Sequence, residues 1–256
     1  MRICVLGSGS SGNATFLATE RTRLLIDAGL SGREIRRRLE LVGEPAEKLD
    51  ALLISHEHTD HITSVRKLAS DHALPVYISE PTRDALPWKA ELRYEHFSAG
   101  SGFTIGDVEV TPFTVPHDAA DTVGFTFQME GVKVGLVTDL GYVTELVKHH
   151  LRGCKVLVLE SNHDPELLKI SPYPWHVKQR VLGRHGHLSN LAAAEFLRTD
   201  YDGGAEVLIL AHLSQMNNLP ELAEMSAQEA LGARNGSAAL KLMVARQTEP
   251  TPLIRL

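Results

Sequence analysis

Short apolar segments alternate with amphipathic segments along most of the chain, a pattern typical of strands alternating with helices. Residues 2–6 predict a short strand, and residues 14–19 and 23–27 flank a polar turn and predict a hairpin. Residues 31–42 carry apolar side chains on one face and predict a helix that Ser31 caps. Further elements are predicted as strands at 51–54, 76–79, 155–159, 206–211 and 239–245, and as helices at 62–71, 143–151, 188–198 and 219–233.

The pattern changes between residues 103 and 138. Residues 103–110 and 124–134 alternate apolar and polar positions around glycine-containing turns, which predicts antiparallel hairpins. The chain therefore has two strand-rich halves, each followed by its own helices. We predict an α/β fold in which two mixed sheets pack face to face with helices outside, an αββα four-layer sandwich. No linker rich in Pro, Gly or Ser divides the halves, so residues 1–256 are expected to form one domain.

Composition excludes several classes of protein. Of 256 residues, 43% are apolar and 23% charged, which is typical of a globular domain and excludes disordered and low-complexity chains. The net charge of −6 means that any nucleic-acid binding would need a local basic patch. There is no apolar run of about 18 residues and no signal-peptide core, so no membrane association is expected and a cytoplasmic location is favoured. Cys4 and Cys154 lie in apolar runs and are expected to be buried thiols that could form at most one bridge.

A glycine-rich segment follows the first predicted strand. Gly7 to Gly12 matches G-x-G-x-x-G, which suggests a dinucleotide site. That site needs a helix next, whereas residues 14–19 alternate as a strand does. We therefore favour a tight loop that borders an active site, with backbone N–H groups able to approach an anion.

The strongest chemical signal is the segment His56-Glu57-His58-Thr59-Asp60-His61, directly after a predicted strand. Residues two apart in an extended segment project to the same side, so His56 and His58 can bind one ion. Asp60 and His61, at the start of the next helix, can face a second ion. Imidazole and carboxylate are ligands that zinc and similar ions prefer. The alternative is a polar loop that is rich in histidine by chance.

Three further polar residues each follow an apolar strand. His117, Asp139 and His212 come after residues 113–116, 134–138 and 207–211. Any one of them alone could be the first residue of an ordinary loop. Strand ends present functional side chains to a common site. Together with the histidine-rich segment after residues 51–54, these residues make four strand-end positions, which favours a functional site over a chance pattern.

Taken together, these residues resemble the dinuclear signature of the metallo-β-lactamase fold. The resemblance implies that His56, His58 and His117 hold a first ion. It implies that Asp60, His61 and His212 hold a second ion, with Asp139 bridging both. Asp27 matches the early structural aspartate of that superfamily and would support the ligands rather than bind metal; the alternative is an ordinary turn residue.

Residues 167–194 form a basic segment, which contains no Asp or Glu but includes Lys169, Lys178, Arg180 and Arg184. Tyr173 and Trp175 are interleaved with these cations, and His185 lies alongside. Phosphate contacts together with aromatic stacking surfaces are what a nucleic-acid single strand requires. The alternative is an exposed basic loop with structural aromatic residues.

The segment from Gly186 to Asn190, with Glu160 upstream, resembles the helix start and strand-end glutamate of the tRNA 3′-processing endonucleases (RNase Z). The resemblance implies that His187 donates a proton to the leaving oxygen or contacts phosphate, oriented by Glu160. Leu188 replaces a serine of that pattern, and the long arm of those enzymes has no counterpart in this chain.

Motifs along nearly the whole chain resemble the bacterial YycJ/WalJ family, which is associated with 5′→3′ exonuclease action on DNA. They are residues 8–13, 27–31, 54–61, 115–119, 160–164 and 212–218. The resemblance implies that Asn162, His163 and Asn217 line the substrate groove. Ser10 and Asn13 are also expected there, together with Lys178, Arg180, Arg184 and His185 from the basic segment. Asp60, His187 and Glu160 are the expected catalytic residues.

The residues predict a two-metal phosphodiester hydrolase, and the resemblance implies more specifically a 5′→3′ exodeoxyribonuclease with nucleic acid (DNA) as its partner. Its cofactors would be two divalent ions, zinc or manganese, which can activate water and stabilise both oxygens of an in-line displacement. One alternative is a small-molecule hydrolase acting on a cyclic phosphodiester or a thioester. Another is an inactive subunit that binds nucleic acid, although such subunits lose ligands and every ligand position here is filled.

Overall fold

The computed structural model describes residues 1–233 and 240–256, and within them the chain forms two seven-stranded sheets. The first sheet has the order β14-β1-β2-β3-β4-β5-β6. Its strands are β1 (Arg2–Gly7), β2 (Ala14–Ala18), β3 (Arg23–Ile26), β4 (Ala51–Leu53), β5 (Val76–Ser79), β6 (Tyr94–Phe97) and the C-terminal β14 (Ile254–Arg255).

The second sheet has the order β13-β12-β11-β10-β9-β8-β7. Its strands are β7 (Phe103–Ile105), β8 (Val108–Thr114), β9 (Val123–Met129), β10 (Val132–Val137), β11 (Val156–Glu160), β12 (Val207–Ala211) and β13 (Lys241–Val244). The turn between β9 and β10 has positive φ at Glu130 (48°) and Gly131 (80°), as a two-residue hairpin turn requires.

Helices connect the strands. They are α1 (Gly32–Leu41), α2 (Thr59–Ile62), α3 (Val65–His72), α4 (Glu80–Ala85), α5 (Glu145–Leu151), α6 (Pro165–Ile170), α7 (Trp175–Leu182), α8 (Asn190–Thr199) and α9 (Pro220–Gly232), with a 3₁₀ turn at Ala46–Lys48. Ser31 caps α1 as predicted, its hydroxyl accepting a hydrogen bond from the backbone N–H of Glu34 at 3.3 Å. None of the described helices combines the length and apolar character needed to cross a membrane.

Both faces of the central strands are buried. In β1, Ile3 and Val5 contribute to the core between the two sheets, whereas Cys4 and Leu6 face the core beneath the helices of the first sheet. The strands of the second sheet are also buried on both faces. In β12, Ile209 packs between the sheets, whereas Leu208 and Leu210 pack against the helices that cover the second sheet. This alternation explains why the strands read as continuous apolar runs, and it confirms the predicted αββα sandwich.

The strands that carry the polar strand-end residues all point the same way within their sheets. In the first sheet β3, β4 and β5 are parallel. In the second sheet β10, β11 and β12 are parallel, and β8 shares their direction because both β8 and β10 are antiparallel to β9. The carboxyl ends of these strands therefore lie along one edge of each sheet, which is where open α/β sheets bind ligands.

Several local predictions need correction. The single helix predicted at 62–71 is two helices, α2 and α3, interrupted at Thr63 and Ser64. The predicted strands and helices did not include β6, β14, α4, α6 or α7. The predicted last strand begins at residue 239, which lies outside the described residues; β13 itself covers Lys241–Val244. Cys4 and Cys154 are buried free thiols, as expected, in separate cores.

Candidate metal centre

Three residues at the edge formed by the strand ends have left-handed backbone conformations. Asp27 follows β3 with φ 58°, Asp139 follows β10 with φ 59°, and His212 follows β12 with φ 58°. Each conformation turns the chain sharply at the point where its strand stops. Asp and His are among the residue types that tolerate this region, but it is still costly, and such strain concentrates at functional sites.

His56, His58 and His117 form one group of potential ligands. His56 and His58 come from the loop between β4 and α2, and His117 comes from the loop after β8. One ring nitrogen from each of the three lies within 4.8 Å of those of the other two. The Nε2 of His117 is 3.2 Å from the Nδ1 of His58. The two sheets therefore contribute jointly to this group.

Asp60, His61 and His212 form a second group with the same spacing limit of 4.8 Å. The Oδ2 of Asp60 is 3.6 Å from the Nε2 of His61 and 3.5 Å from the Nε2 of His212. Asp60 and His61 belong to α2 beside the first sheet, whereas His212 follows β12 of the second sheet. This group also joins the two sheets.

Asp139 lies between the two groups and is buried. Its Oδ2 is 3.3 Å from the Nε2 of His61 in the second group. Its Oδ1 is 3.9 Å from the Nε2 of His117 in the first group. The carboxylate is thus within reach of both groups, as a bridging ligand must be.

Unpartnered buried atoms test whether this cluster fits metal ions. The Nε2 of His56, the Oδ2 of Asp139 and the Nε2 of His212 are all buried without a hydrogen-bond partner among the described residues. Burying a polar atom without a partner is costly, so several such atoms gathered in one cluster indicate a ligand there. The donor set of five imidazoles and two carboxylates fits divalent cations.

Hydrogen bonds fix the orientation of the histidine rings from behind. The Oδ2 of Asp27 accepts hydrogen bonds from the Nδ1 of His61 and the hydroxyl of Ser55, both at 2.8 Å. That hydroxyl is also 3.0 Å from the Nδ1 of His56. Asp27 therefore supports one histidine of each group, and holding Nδ1 in this way leaves Nε2 as the metal-facing nitrogen.

Glu160 supports the opposite side of the centre. Its buried Oε1 accepts hydrogen bonds from the Nδ1 of His212 at 2.8 Å and the Nδ1 of His187 at 2.9 Å. Its Oε2 accepts backbone N–H groups of Leu140 and Leu188 at 2.9 and 3.1 Å. Although its oxygens lie near Asp139 and His212, four donors already occupy them. Glu160 is therefore a supporting group rather than a further ligand.

The charges in the centre shift the pKa values of its members. Burial would raise the pKa of Asp139, but the charges of His212 and His61 outweigh burial and hold that pKa well below its ordinary value. Burial also opposes ionisation of Glu160, yet contacts with His187 and His212 lower its pKa to about 2. Burial lowers the pKa of His56 well below the ordinary value, and neighbouring His61 lowers it further. The carboxylates therefore stay ionised and attract a cation.

Backbone hydrogen bonds lock the ligand loop to two neighbouring loops. The N–H of Asn13 donates to the carbonyl of Asp60, and the N–H of Ala28 donates to the carbonyl of His61, both at 2.7 Å. The N–H of Gly29 closes the set by donating to the carbonyl of Asn13 at 2.8 Å. A Cβ at Gly29 would overlap the carbonyl of Asp60, so only glycine permits this approach.

Four residues expected in the substrate groove are buried, and three of them hold neighbouring groups through side-chain hydrogen bonds. The Nδ2 of Asn13 donates to the Oδ2 of Asp60 at 3.1 Å, and the Nδ2 of Asn162 donates to the carbonyl of His212 at 2.7 Å. Asn217 donates to the hydroxyl of Ser214 at 3.2 Å. His163 is 1% exposed, and burial lowers its pKa to about 4. The family resemblance suggested a groove, whereas the structure leaves these four residues almost without exposed surface. Their contact with substrate stays a prediction.

The other five expected substrate residues lie at the surface or close to it. Ser10, Arg180, Arg184 and His185 are exposed, and Lys178 is half-buried. The basic segment carries less free charge than its sequence suggests, because Arg180 pairs with Asp118 and Lys169 pairs with Glu166. It is also helical over more than half of its length, since α6, α7 and the start of α8 lie within it.

Two residues with clear roles in this geometry were not predicted from the sequence. Ser55 joins Asp27 to His56, and its only signal was its place next to the first histidine. Asp118 connects the centre to the basic segment, with its Oδ1 3.4 Å from the Nε2 of His117 and its Oδ2 paired with Arg180. Its position beside His117 was the corresponding signal.

Comparison with known protein families agrees with this arrangement. The family described as the beta-lactamase superfamily domain matches residues 22–213, which include each residue of both ligand groups and Asp139. The chain belongs to the beta-lactamase superfamily.

Within the superfamily, the chain is similar to curated bacterial proteins over most of its length. It is 37% identical to the exodeoxyribonuclease YycJ of Bacillus anthracis, over 90% of this chain and 89% of that protein. It is 38% identical to the exodeoxyribonuclease WalJ of Streptococcus pneumoniae, over 87% of this chain and 85% of that protein. The metallo-β-lactamase fold protein YhfI of Bacillus subtilis superposes with a TM-score of 0.74 at 18% identity, covering 98% of both chains, which shows the shared superfamily fold.

Proposed function

We propose that this chain is a metal-dependent exodeoxyribonuclease that hydrolyses DNA phosphodiesters in the 5′→3′ direction. The observation that carries the proposal is that seven candidate ligand side chains from both sheets lie together. They form two adjacent groups, with Asp139 between them. Identity of 37–38% to proteins named exodeoxyribonucleases favours DNA as the substrate.

The centre would hold two divalent ions, with His56, His58 and His117 around one and Asp60, His61 and His212 around the other. Asp139 would bridge them, since its carboxylate lies within 3.9 Å of ring nitrogens from both groups. The imidazoles suit zinc, and the carboxylates also suit manganese. When bound, such ions make water a competent nucleophile near neutral pH and stabilise the charge that develops on phosphoryl oxygens.

His187 is the proposed proton donor. Hydrolysis adds water across a P–O bond, so the leaving oxygen must gain a proton as that bond breaks. His187 is partly exposed beside the buried centre, and Glu160 accepts its Nδ1–H at 2.9 Å. This contact orients the ring and leaves Nε2 to carry the transferred proton, as a general acid requires.

The exposed residues near the centre would bind the DNA strand. Arg180 reaches the centre through Asp118, and Lys178 lies on the same helix, α7. Trp175 begins α7 with 70% of its surface exposed, which offers a base a flat surface for stacking. Phosphate contacts from α7 together with aromatic stacking suit a single strand entering the centre.

A digestion assay tests the proposal. Metal-stripped protein, reloaded with zinc or manganese, should degrade DNA labelled at its 3′ end from the unlabelled end, and faster than RNA. The Asp139→Ala variant should lose turnover by more than 1000-fold while binding DNA nearly as well, because it loses a carboxylate shared by both ligand groups. The matched control is Asp84→Ala, an exposed aspartate on α4, which should keep wild-type activity. Wild-type cleavage by Asp139→Ala, or no cleavage of DNA by the loaded wild type, would overturn the proposal.

A further inference from the structure

A cavity of about 430 Å³ lies directly beside the candidate metal centre. His117 belongs both to the first ligand group and to the wall of this cavity. The rest of the wall comes from the end of β8 and the segment after it, from the start of α5 and the residues before it, and from His185 between α7 and α8. The volume falls within the range of about 300–1,000 Å³ that is typical of small-ligand sites. A group held there would therefore sit next to the reacting centre.

Tyr142 gives the cavity a flat aromatic wall. The residue is 37% exposed, and the guanidinium of Arg184 lies over its ring at 4.8 Å from the centroid. This cation holds the ring in place without contributing to the cavity lining. Leu146 and Pro116 add apolar surface to the same cavity. Planar apolar groups stack favourably on such a ring.

The polar groups of the lining suit an uncharged ligand rather than a phosphate. The described residues that line the cavity include no lysine or arginine; their titratable side chains are those of His117, His185 and Asp121. Thr122 and Thr144 supply hydroxyls, and the buried Oγ1 of Thr122 has no hydrogen-bond partner among the described residues. A neutral ring with hydrogen-bonding edges matches a flat wall that has hydroxyls beside it.

From this geometry we propose that the cavity is a nucleobase subsite that stacks one DNA base against Tyr142 during cleavage. The inference rests on the proposed function, because it assigns the base of a nucleotide whose phosphate lies at or beside the metal centre. Arg184 then acts on the Tyr142 ring instead of contacting phosphate. The Thr144 hydroxyl, which accepts the N–H of Val147 at 3.2 Å, keeps its own O–H to donate to the edge of the stacked base.

Oligonucleotides that lack a single base test this assignment. A tetrahydrofuran abasic nucleotide is placed in turn at each of the first three positions from the attacked end, and kcat/KM is measured for release of the first nucleotide. At one position, loss of the base should lower kcat/KM of the wild type roughly 5- to 100-fold, the range expected for one base stacked on an aromatic side chain.

Variants then connect that loss to the cavity. In Tyr142→Ala the ratio between the intact and abasic substrates at that position should fall to near 1. Tyr142→Phe should keep the ratio, because the ring is retained. Tyr94→Ala, which removes a half-buried tyrosine from β6 in the other sheet, should also keep it.

The outcomes separate the two proposals. If the loaded wild type cleaves no oligonucleotide, the proposed function fails. If it cleaves DNA but the abasic site has no effect at any of the three positions, the subsite alone is wrong, and this result needs no variant to fold. An abasic effect that persists unchanged in folded Tyr142→Ala would also overturn the subsite.

Discussion

Asp27, Asp139 and His212 show how single residues sacrifice stability for geometry. A left-handed conformation costs a residue with a Cβ about 1–2 kcal/mol, and three residues of this site adopt it. Each follows a strand whose last side chain is buried in the sheet, so the sharp turn redirects the next functional group toward the centre. Glycine would adopt this conformation without strain, but it has no side chain that could bind a metal ion or support a ligand.

Substituting Asp139 with glycine or alanine would measure this strain. Both variants remove the carboxylate, but only glycine adopts φ 59° without a steric penalty. Asp139→Gly should therefore be more stable than Asp139→Ala by about 1 kcal/mol in metal-free protein. Chemical denaturation followed by circular dichroism gives the difference in the free energy of unfolding.

A helical position provides the opposite control for that comparison. Asp84 lies in α4, where glycine should be less stable than alanine by roughly 0.5–1 kcal/mol. If the order of stability at residue 139 matches the order at residue 84, then Asp139 carries no backbone strain.

At the scale of elements, α7 has no buried residues, so the chain holds it mainly by its ends and by surface contacts such as Arg180 with Asp118. Lys178 also donates to the carbonyl of Lys169 on α6 at 2.6 Å. Under the proposed function, the exposed side chains of this helix would be free to contact a DNA strand. The helix adds little to the core of the molecule.

Removing two charges from α7 should weaken DNA binding in a salt-dependent way. The double variant Lys178→Ala/Arg180→Ala should reduce the slope of log K against log salt by roughly 1.4 for single-stranded DNA, since each lost phosphate contact removes about 0.7. Fluorescence anisotropy with catalytically inactive Asp139→Ala protein as the background measures this slope.

The matched control removes two charges far from the centre. Lys155 and Lys241 are exposed lysines at the amino ends of β11 and β13, opposite the carboxyl ends that carry the site. Their double alanine variant should keep the slope of the Asp139→Ala background. An equal fall in both double variants would mean that net charge, and not α7, attracts DNA.

The same elements show how far the sequence could predict this molecule. The strands were predicted well because both of their faces are buried, and α7 was missed because it has no buried face to produce an amphipathic pattern. His117 and Asp139 could be picked out because each follows an apolar strand. By contrast, Asn162 and His163 lie in a segment that folds inward, and local sequence does not distinguish a buried polar loop from an exposed one.

At the scale of the whole molecule, each ligand group joins the two sheets. His56 and His58 come from the first sheet and His117 from the second, and the other group is divided in the same way. A bound ion would therefore cross-link the two halves of the sandwich, in addition to the shared apolar core. Metal affinity becomes part of folding stability in such an arrangement.

Metal removal should therefore lower the melting temperature. An ion present at 100 times its dissociation constant adds about 2.7 kcal/mol of stability, which corresponds to a rise of roughly 5–10 °C for a chain of this size. Differential scanning calorimetry of stripped and zinc-loaded protein measures the shift. His117→Ala should lose most of it, whereas His149→Ala, on α5, should keep it. A wild-type melting temperature that does not respond to metal would show that no ion links the sheets.

The backbone bonds among Asn13, Ala28, Gly29, Asp60 and His61 restrict how this protein can adapt to a substrate. None of the three loops that carry these residues can shift without breaking backbone hydrogen bonds to another loop. This part of the metal centre therefore moves as one cooperative unit. Under the proposed function, a DNA strand would have to fit this fixed part of the centre, and adjustment on the protein side would fall to the exposed side chains of α7. Under that function, the enzyme would select among DNA strands by how easily each one bends to reach the metal centre.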